Sequence, residues 1–105
     1  MLKIGDILWT FRENDYSVGE ISKLSIIYIG DKQPYYLASI NGIIGADQQM
    51  FISAEEDFNT LVKVRYYSKD IYLTISESVA VNYIKNHYNK TDKVSNEDLI
   101  LIKDV

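Results

Sequence analysis

Ile7, Trp9 and Phe11 alternate with Leu8 and Thr10. This period of two predicts a β-strand entered through the Gly5-Asp6 turn. Arg12 to Ser17 reads as a polar loop. Val18 to Ile29 is rich in β-branched and aromatic residues, with Leu24, Ile26 and Tyr28 on one face, and predicts a long strand bent near Gly19. It ends at Gly30-Asp31-Lys32-Gln33-Pro34, and the next strand, Tyr35 to Ile40, runs into Asn41-Gly42. Asn-Gly best tolerates the two positive φ values of a type I′ turn, so a hairpin is predicted there with Ile43-Ile44 on its return arm. Gly45 to Gln49 reads as a loop and Met50-Phe51-Ile52 as a short strand.

Ser53-Ala54-Glu55-Glu56 has the form of a capping box, which predicts one helical turn over Glu55 to Asn59 before a strand from Thr60 to Tyr67. Ser68-Lys69-Asp70 reads as a three-residue hairpin loop leading to Ile71 to Ile75. Thr74-Ile75-Ser76-Glu77 forms a second capping box. After it Val79, Ala80, Tyr83, Ile84, His87 and Tyr88 recur at helical spacing, which predicts a helix over about Glu77 to Asn89. Leu99 to Ile102 is expected to be a closing strand beside the first. Five to seven short strands with tight turns and one C-terminal helix describe a mainly β chain: a small, strongly bent antiparallel barrel or roll, SH3-like, with an open sheet crossed by the helix as the alternative.

The chain has 105 residues, enough for a single globular domain with one core, and its 47% hydrophobic and 25% charged residues are ordinary globular usage. The absence of cysteine removes any disulfide framework or thiolate metal site. The N-terminus lacks the apolar run of a signal peptide, and no stretch reaches membrane-spanning length, which points to a cytoplasmic protein. The net charge of −4 is shared evenly by the two halves and shows no basic patch, against phosphate-driven nucleic-acid binding.

Candidate chemistry is sparse. His87 is the single histidine, on the apolar edge of the predicted helix, and no nucleophile motif accompanies it. A structural or helix-terminal role suits it better than general base or metal ligand. Glu55-Glu56-Asp57 lacks the alternating ligands and central glycine of a calcium loop. Solvated charge at a helix start is its simplest role, and a negative face that imitates phosphates, with Asp47 nearby, is a sharper one. Phosphate loops, dinucleotide fingerprints and nucleophile elbows are missing, so the sequence predicts a non-enzyme without cofactor or metal.

Nine tyrosines stand out, including the pairs Tyr35-Tyr36 and Tyr66-Tyr67. Neighbours in a strand face opposite ways, so one ring of each pair is expected outside. Exposed rings make protein-contact anchors, and tyrosine also simply favours strands. The residues assigned to partner contact are Tyr16, Tyr35, Tyr67, Glu55, Glu56 and Asp57.

Lys3-Ile4-Gly5-Asp6-Ile7-Leu8-Trp9, with the hydrophobic meander and the late Thr74-Ile75-Ser76-Glu77 helix start, resembles small uncharacterised SH3-like barrel proteins of phages and mobile elements of low-GC Gram-positive bacteria. That resemblance implies an SH3-type barrel carrying one helix. It also implies a possible place among the inhibitors of host defence nucleases, the anti-CRISPR proteins included, and carries over no functional residue. The function expected is a non-enzymatic module that binds a larger protein, in its sharpest form an inhibitor of a nucleic-acid-targeting defence enzyme. The alternatives are a nucleic-acid-binding accessory domain, whose tyrosines would stack on bases, and a self-assembling structural protein.

Overall fold

The computed structural model describes residues 1–30 and 33–88. Six strands, β1 (Ile7–Phe11), β2 (Tyr16–Ile27), β3 (Tyr35–Ile44), β4 (Gln48–Ser53), β5 (Val62–Tyr66) and β6 (Lys69–Thr74), precede the helix α1 (Glu77–His87). The spatial order is β4-β3-β2-β1-β6-β5 with every pair antiparallel, and the sheet curls into a nearly closed barrel. Much of the curl originates in β2, whose register against β3 shifts at Val18/Gly19 and again at Ile21/Lys23. Each shift bends a strand and increases its twist. Both sides of β1 are taken, by β2 and β6. The place assigned to Leu99 to Ile102 is therefore filled by β6, and those residues, like Asn89, lie outside the described ones.

Asn41-Gly42 is not a turn. Both residues sit inside β3, Asn41 opposite Glu20 and Gly42 opposite Gly19, because the twelve-residue β2 supplies a partner along the whole of β3. Tertiary pairing overrides the local preference of the dipeptide. The chain reverses instead after Gly45, which has φ +93°, and the Asp47 carboxylate accepts the Gly42 N–H at 2.7 Å.

Both capping boxes are corrected. The segment after Ser53 forms two turns and no helix: the Asp57 carboxylate accepts the Asn59 N–H at 3.0 Å, and its carbonyl accepts the Thr60 hydroxyl at 2.7 Å. Local side-chain bonds of this kind compete with helix formation. In the second box the cap is Ser76, whose hydroxyl accepts the Val79 N–H at 3.4 Å. Thr74 is a buried strand residue whose hydroxyl donates to the Phe58 carbonyl at 3.0 Å.

The β5–β6 loop is two residues long rather than three. Tyr66 pairs with Lys69, leaving Tyr67 and Ser68 between them with φ of 49° and 66°. Left-handed backbone costs a non-glycine residue on the order of 1 kcal/mol.

The sheet buries both faces. Leu8, Ile21, Ala38, Ile52, Phe58 and Leu73 fill the barrel, while Trp9, Phe11, Tyr16 and Val18 pack outward against Ala80, Ile84 and Tyr88. One continuous strand, β1, thus serves two cores through its alternation: Leu8 inward, Trp9 and Phe11 beneath α1.

Candidate functional site

The outward core opens at one end into a cleft of about 860 Å³. One wall is the β5–β6 hairpin, with Tyr66, Tyr67 and Tyr72, and the other is the last turn of α1, with Tyr83, His87 and Tyr88. Phe11 and the loop from Arg12 to Asp15 complete it. Strand alternation and helical spacing bring these rings together. Tyr72 stands opposite Phe11 across the β1–β6 ladder, while Tyr83 and His87 are one helical turn apart.

The aromatic packing is continuous. Phe11 and Tyr83 have ring centroids 4.4 Å apart, Tyr72 approaches Tyr83 at 5.9 Å, and His87 stacks on Tyr83 at 3.9 Å with the planes 6° apart. The His87 Nδ1 lies 3.1 Å from the Tyr83 carbonyl oxygen, which can only accept, so in this contact the ring donates from Nδ1. Position and partner make His87 a helix-terminal residue that braces the wall.

The loop at the mouth is pinned from both ends. Arg12 binds Asp15 through its side chain at 2.6 Å and through the backbone at 2.9 Å. The Tyr88 hydroxyl reaches the carbonyl oxygens of Arg12 and, at 2.8 Å, Asp15. Burial raises the pKa of Tyr88 above the usual tyrosine range, with Tyr83 and Asp15 adding to the effect, and burial followed by the neighbouring Tyr72 raises that of Tyr83. An unfolded tyrosine ionises near pH ~10. Below that pH both states hold the protons; above it the unfolded chain loses them first. The stability these two residues contribute is therefore complete below about pH 10 and is lost as pH rises further. The urea midpoint is expected to hold up to that pH and then fall, with a shallower fall in Tyr88→Phe; equal slopes for the two chains would contradict the assignment.

The residues assigned to contact from sequence are not gathered here. Tyr67 alone lines the cleft, and it is 86% exposed. Tyr16 is corrected: at 9% exposure it is a core residue beneath the cleft, its ring 6.0 Å from Phe11 and 5.5 Å from Tyr88. Strand β2 begins at Tyr16, two residues earlier than the hydrophobic pattern indicates, and this brings the ring under α1. Tyr35 is half-buried on the outer face of β3, opposite Ser53, with its neighbour Tyr36 in the barrel core. Glu55, Glu56 and Asp57 are exposed on the turns after β4, away from the cleft lining. Asp47 precedes β4 and the acidic run follows it, so the six-residue strand holds them roughly 20 Å apart and they do not form one phosphate-like row.

Tyr66, Tyr72, Tyr83 and Tyr88 escaped the sequence reading because their spacing is also that of core positions. The available signal was the coincidence of a Tyr-rich helix face with the Tyr66-Tyr67 pair in one chain. Among the described residues no group of three or more His, Asp or Glu gathers as a metal site, and no helix is long and apolar enough to cross a membrane. No family model, curated protein or solved structure matches the chain.

Proposed function

We propose that the protein is a non-enzymatic binding module that grips a segment of a larger protein in the aromatic cleft, with Tyr67 as the anchor. The observation that carries this reading is the hairpin tip. Two consecutive non-glycine residues there hold left-handed backbone, and the first carries a nearly bare phenol at the mouth of the cleft, edge-on to Tyr66 at 4.5 Å. A two-residue hairpin loop takes positive φ at both positions, so the turn itself fixes the direction in which the Tyr67 ring is presented. Tyrosine supplies large contact area for little lost side-chain freedom, which is why it recurs at binding hot spots. The rim carries both signs, Arg12 and Lys69 against Glu13, Asp15 and Asp70. A polar rim around an apolar centre is the usual anatomy of a protein interface.

The test is capture from host lysate by the native chain and by Tyr67→Asn, which keeps a residue tolerant of left-handed backbone and removes the ring. A stoichiometric partner held by the native chain is expected to bind Tyr67→Asn about thirtyfold more weakly, the usual hot-spot loss; equal retention would remove the cleft from the reading. Under the phage resemblance the partner is a host defence nuclease, and its activity is expected to fall with the native chain and recover with the variant. Exposed Lys63 and Arg65 on β5, beside the tip, favour a second reading in which a nucleic acid occupies this face. Binding of single-stranded DNA or RNA that weakens steeply with salt would select it.

A further inference from the structure

In the described sheet β4 and β5 each have one strand neighbour, and their edges differ in kind. Strand β5 carries exposed Lys63 and Arg65, the common device that keeps an edge from pairing with other chains. Strand β4 has the sequence Gln-Gln-Met-Phe-Ile-Ser, with no charge and no proline, and Phe51 at its centre is 56% exposed.

The backbone phase of β4 is set by the bond from the Ala54 N–H to the Pro34 carbonyl at 3.0 Å. Hydrogen-bonded pairs alternate along an antiparallel ladder, so Ile52 and Met50 also spend their N–H and C=O groups on β3, at Tyr36 and Ala38. Gln49, Phe51 and Ser53 turn theirs the other way, to the open edge.

We propose that β4 is a self-association edge, at which two copies of this chain pair antiparallel about a two-fold axis at Phe51. From Gln49 to Ser53 the polarity pattern reads the same in both directions: polar, apolar, aromatic, apolar, polar. The two-fold sets Phe51 against the partner's Phe51, Met50 against the partner's Ile52 and Gln49 against the partner's Ser53. Every residue meets its like, and the pairs at Phe51 and at Gln49 with Ser53 are those whose backbone groups face the edge. Moving the axis to Met50 uses the same outward backbone groups but sets Gln49 against the partner's Phe51, an unlike pair, and gives up the contact between the two Phe51 rings. On the outer face Phe51 lies beside Leu37, and half-buried Ile27 and Tyr35 flank that row, so the second copy extends an apolar strip already present. A closed two-fold pairing also ends the edge rather than propagating it.

Sedimentation velocity over a concentration series of the full chain tests the proposal, with Phe51→Lys as the disrupting variant and circular dichroism to confirm its fold. Like charges facing each other across the ladder are expected to weaken dimerisation at least about tenfold. Since the chain contains no cysteine, Phe51→Cys gives an independent readout. A hydrogen-bonded pair sets the two Cα atoms about 5.5 Å apart, within disulfide reach. Mild oxidation is expected to give a covalent dimer several-fold faster than Lys63→Cys on the guarded edge. A native chain that stays monomeric up to millimolar concentration, or equal oxidation rates for the two cysteine variants, overturns the proposal.

Discussion

Replacing Phe11 by Ala is expected to destabilise the protein by about 3–5 kcal/mol, the range for truncating a fully buried phenylalanine. Phe11 has no exposed surface and, as the last residue of β1, packs under the end of α1, touching the rings of Tyr16, Tyr83 and Tyr88. Removing it leaves a void lined by three aromatic rings that are anchored elsewhere. Tyr88 is held by the backbone carbonyls of Arg12 and Asp15, and Tyr83 by its stack with His87, so neither can move to fill the space. The expected readout is a large drop in the urea midpoint, against a change within about 0.5 kcal/mol for an exposed substitution such as Glu56→Ala. A loss below about 1 kcal/mol for Phe11→Ala would mean that α1 does not pack where the structure places it.

Gly42→Ala is expected to cost about 3 kcal/mol, at the upper end of the range for inserting a methyl group where there is no room. Backbone conformation is not the reason, since Gly42 has no positive φ. A Cβ there would sit on the Gly45 carbonyl oxygen and 2.9 Å from the carbonyl group of Ala46, backbone atoms that cannot step aside. They belong to the reversal that the bond from the Gly42 N–H to Asp47 holds in place. Gly30 is the control: its φ is +63° but nothing lies within 4 Å of an added Cβ, so Gly30→Ala carries only the left-handed penalty of about 1 kcal/mol. Denaturant unfolding of the two variants separates the readings. If Asn41-Gly42 were a hairpin turn, Gly42→Ala would behave like Gly30→Ala; the strand placement requires Gly42→Ala to be clearly worse.

Elements whose local pattern agrees with their tertiary role were legible in the chain. The Ile7, Trp9, Phe11 alternation marked β1, and the Val79 to Ile84 spacing marked α1, because burial enforces periods of 2 and 3.6 directly. One exposed ring in the Tyr66-Tyr67 pair was legible because neighbours in a strand face opposite ways, and the hairpin tip decided that it is Tyr67. The cleft was not legible as a site. Its walls come from the β5–β6 hairpin and α1, closed by the end of β1, segments distant in sequence, and a tyrosine that lines a cleft has the same spacing as one that fills a core.

By itself the sequence determined a mainly β class, an early meander, one late amphipathic helix and an excess of tyrosine, since each of these is a property of neighbouring residues. The tertiary structure decided the rest. It turned Asn41-Gly42 from a turn into strand because β2 was long enough to pair through it, and it moved the helix cap from Thr74 to Ser76 because the Thr74 hydroxyl found the Phe58 carbonyl. It took Tyr16 from surface to core because α1 covers that end of the sheet. In each case a local preference of about 1 kcal/mol was outweighed by long-range pairing and burial, which sum over many residues and appear only when distant segments meet.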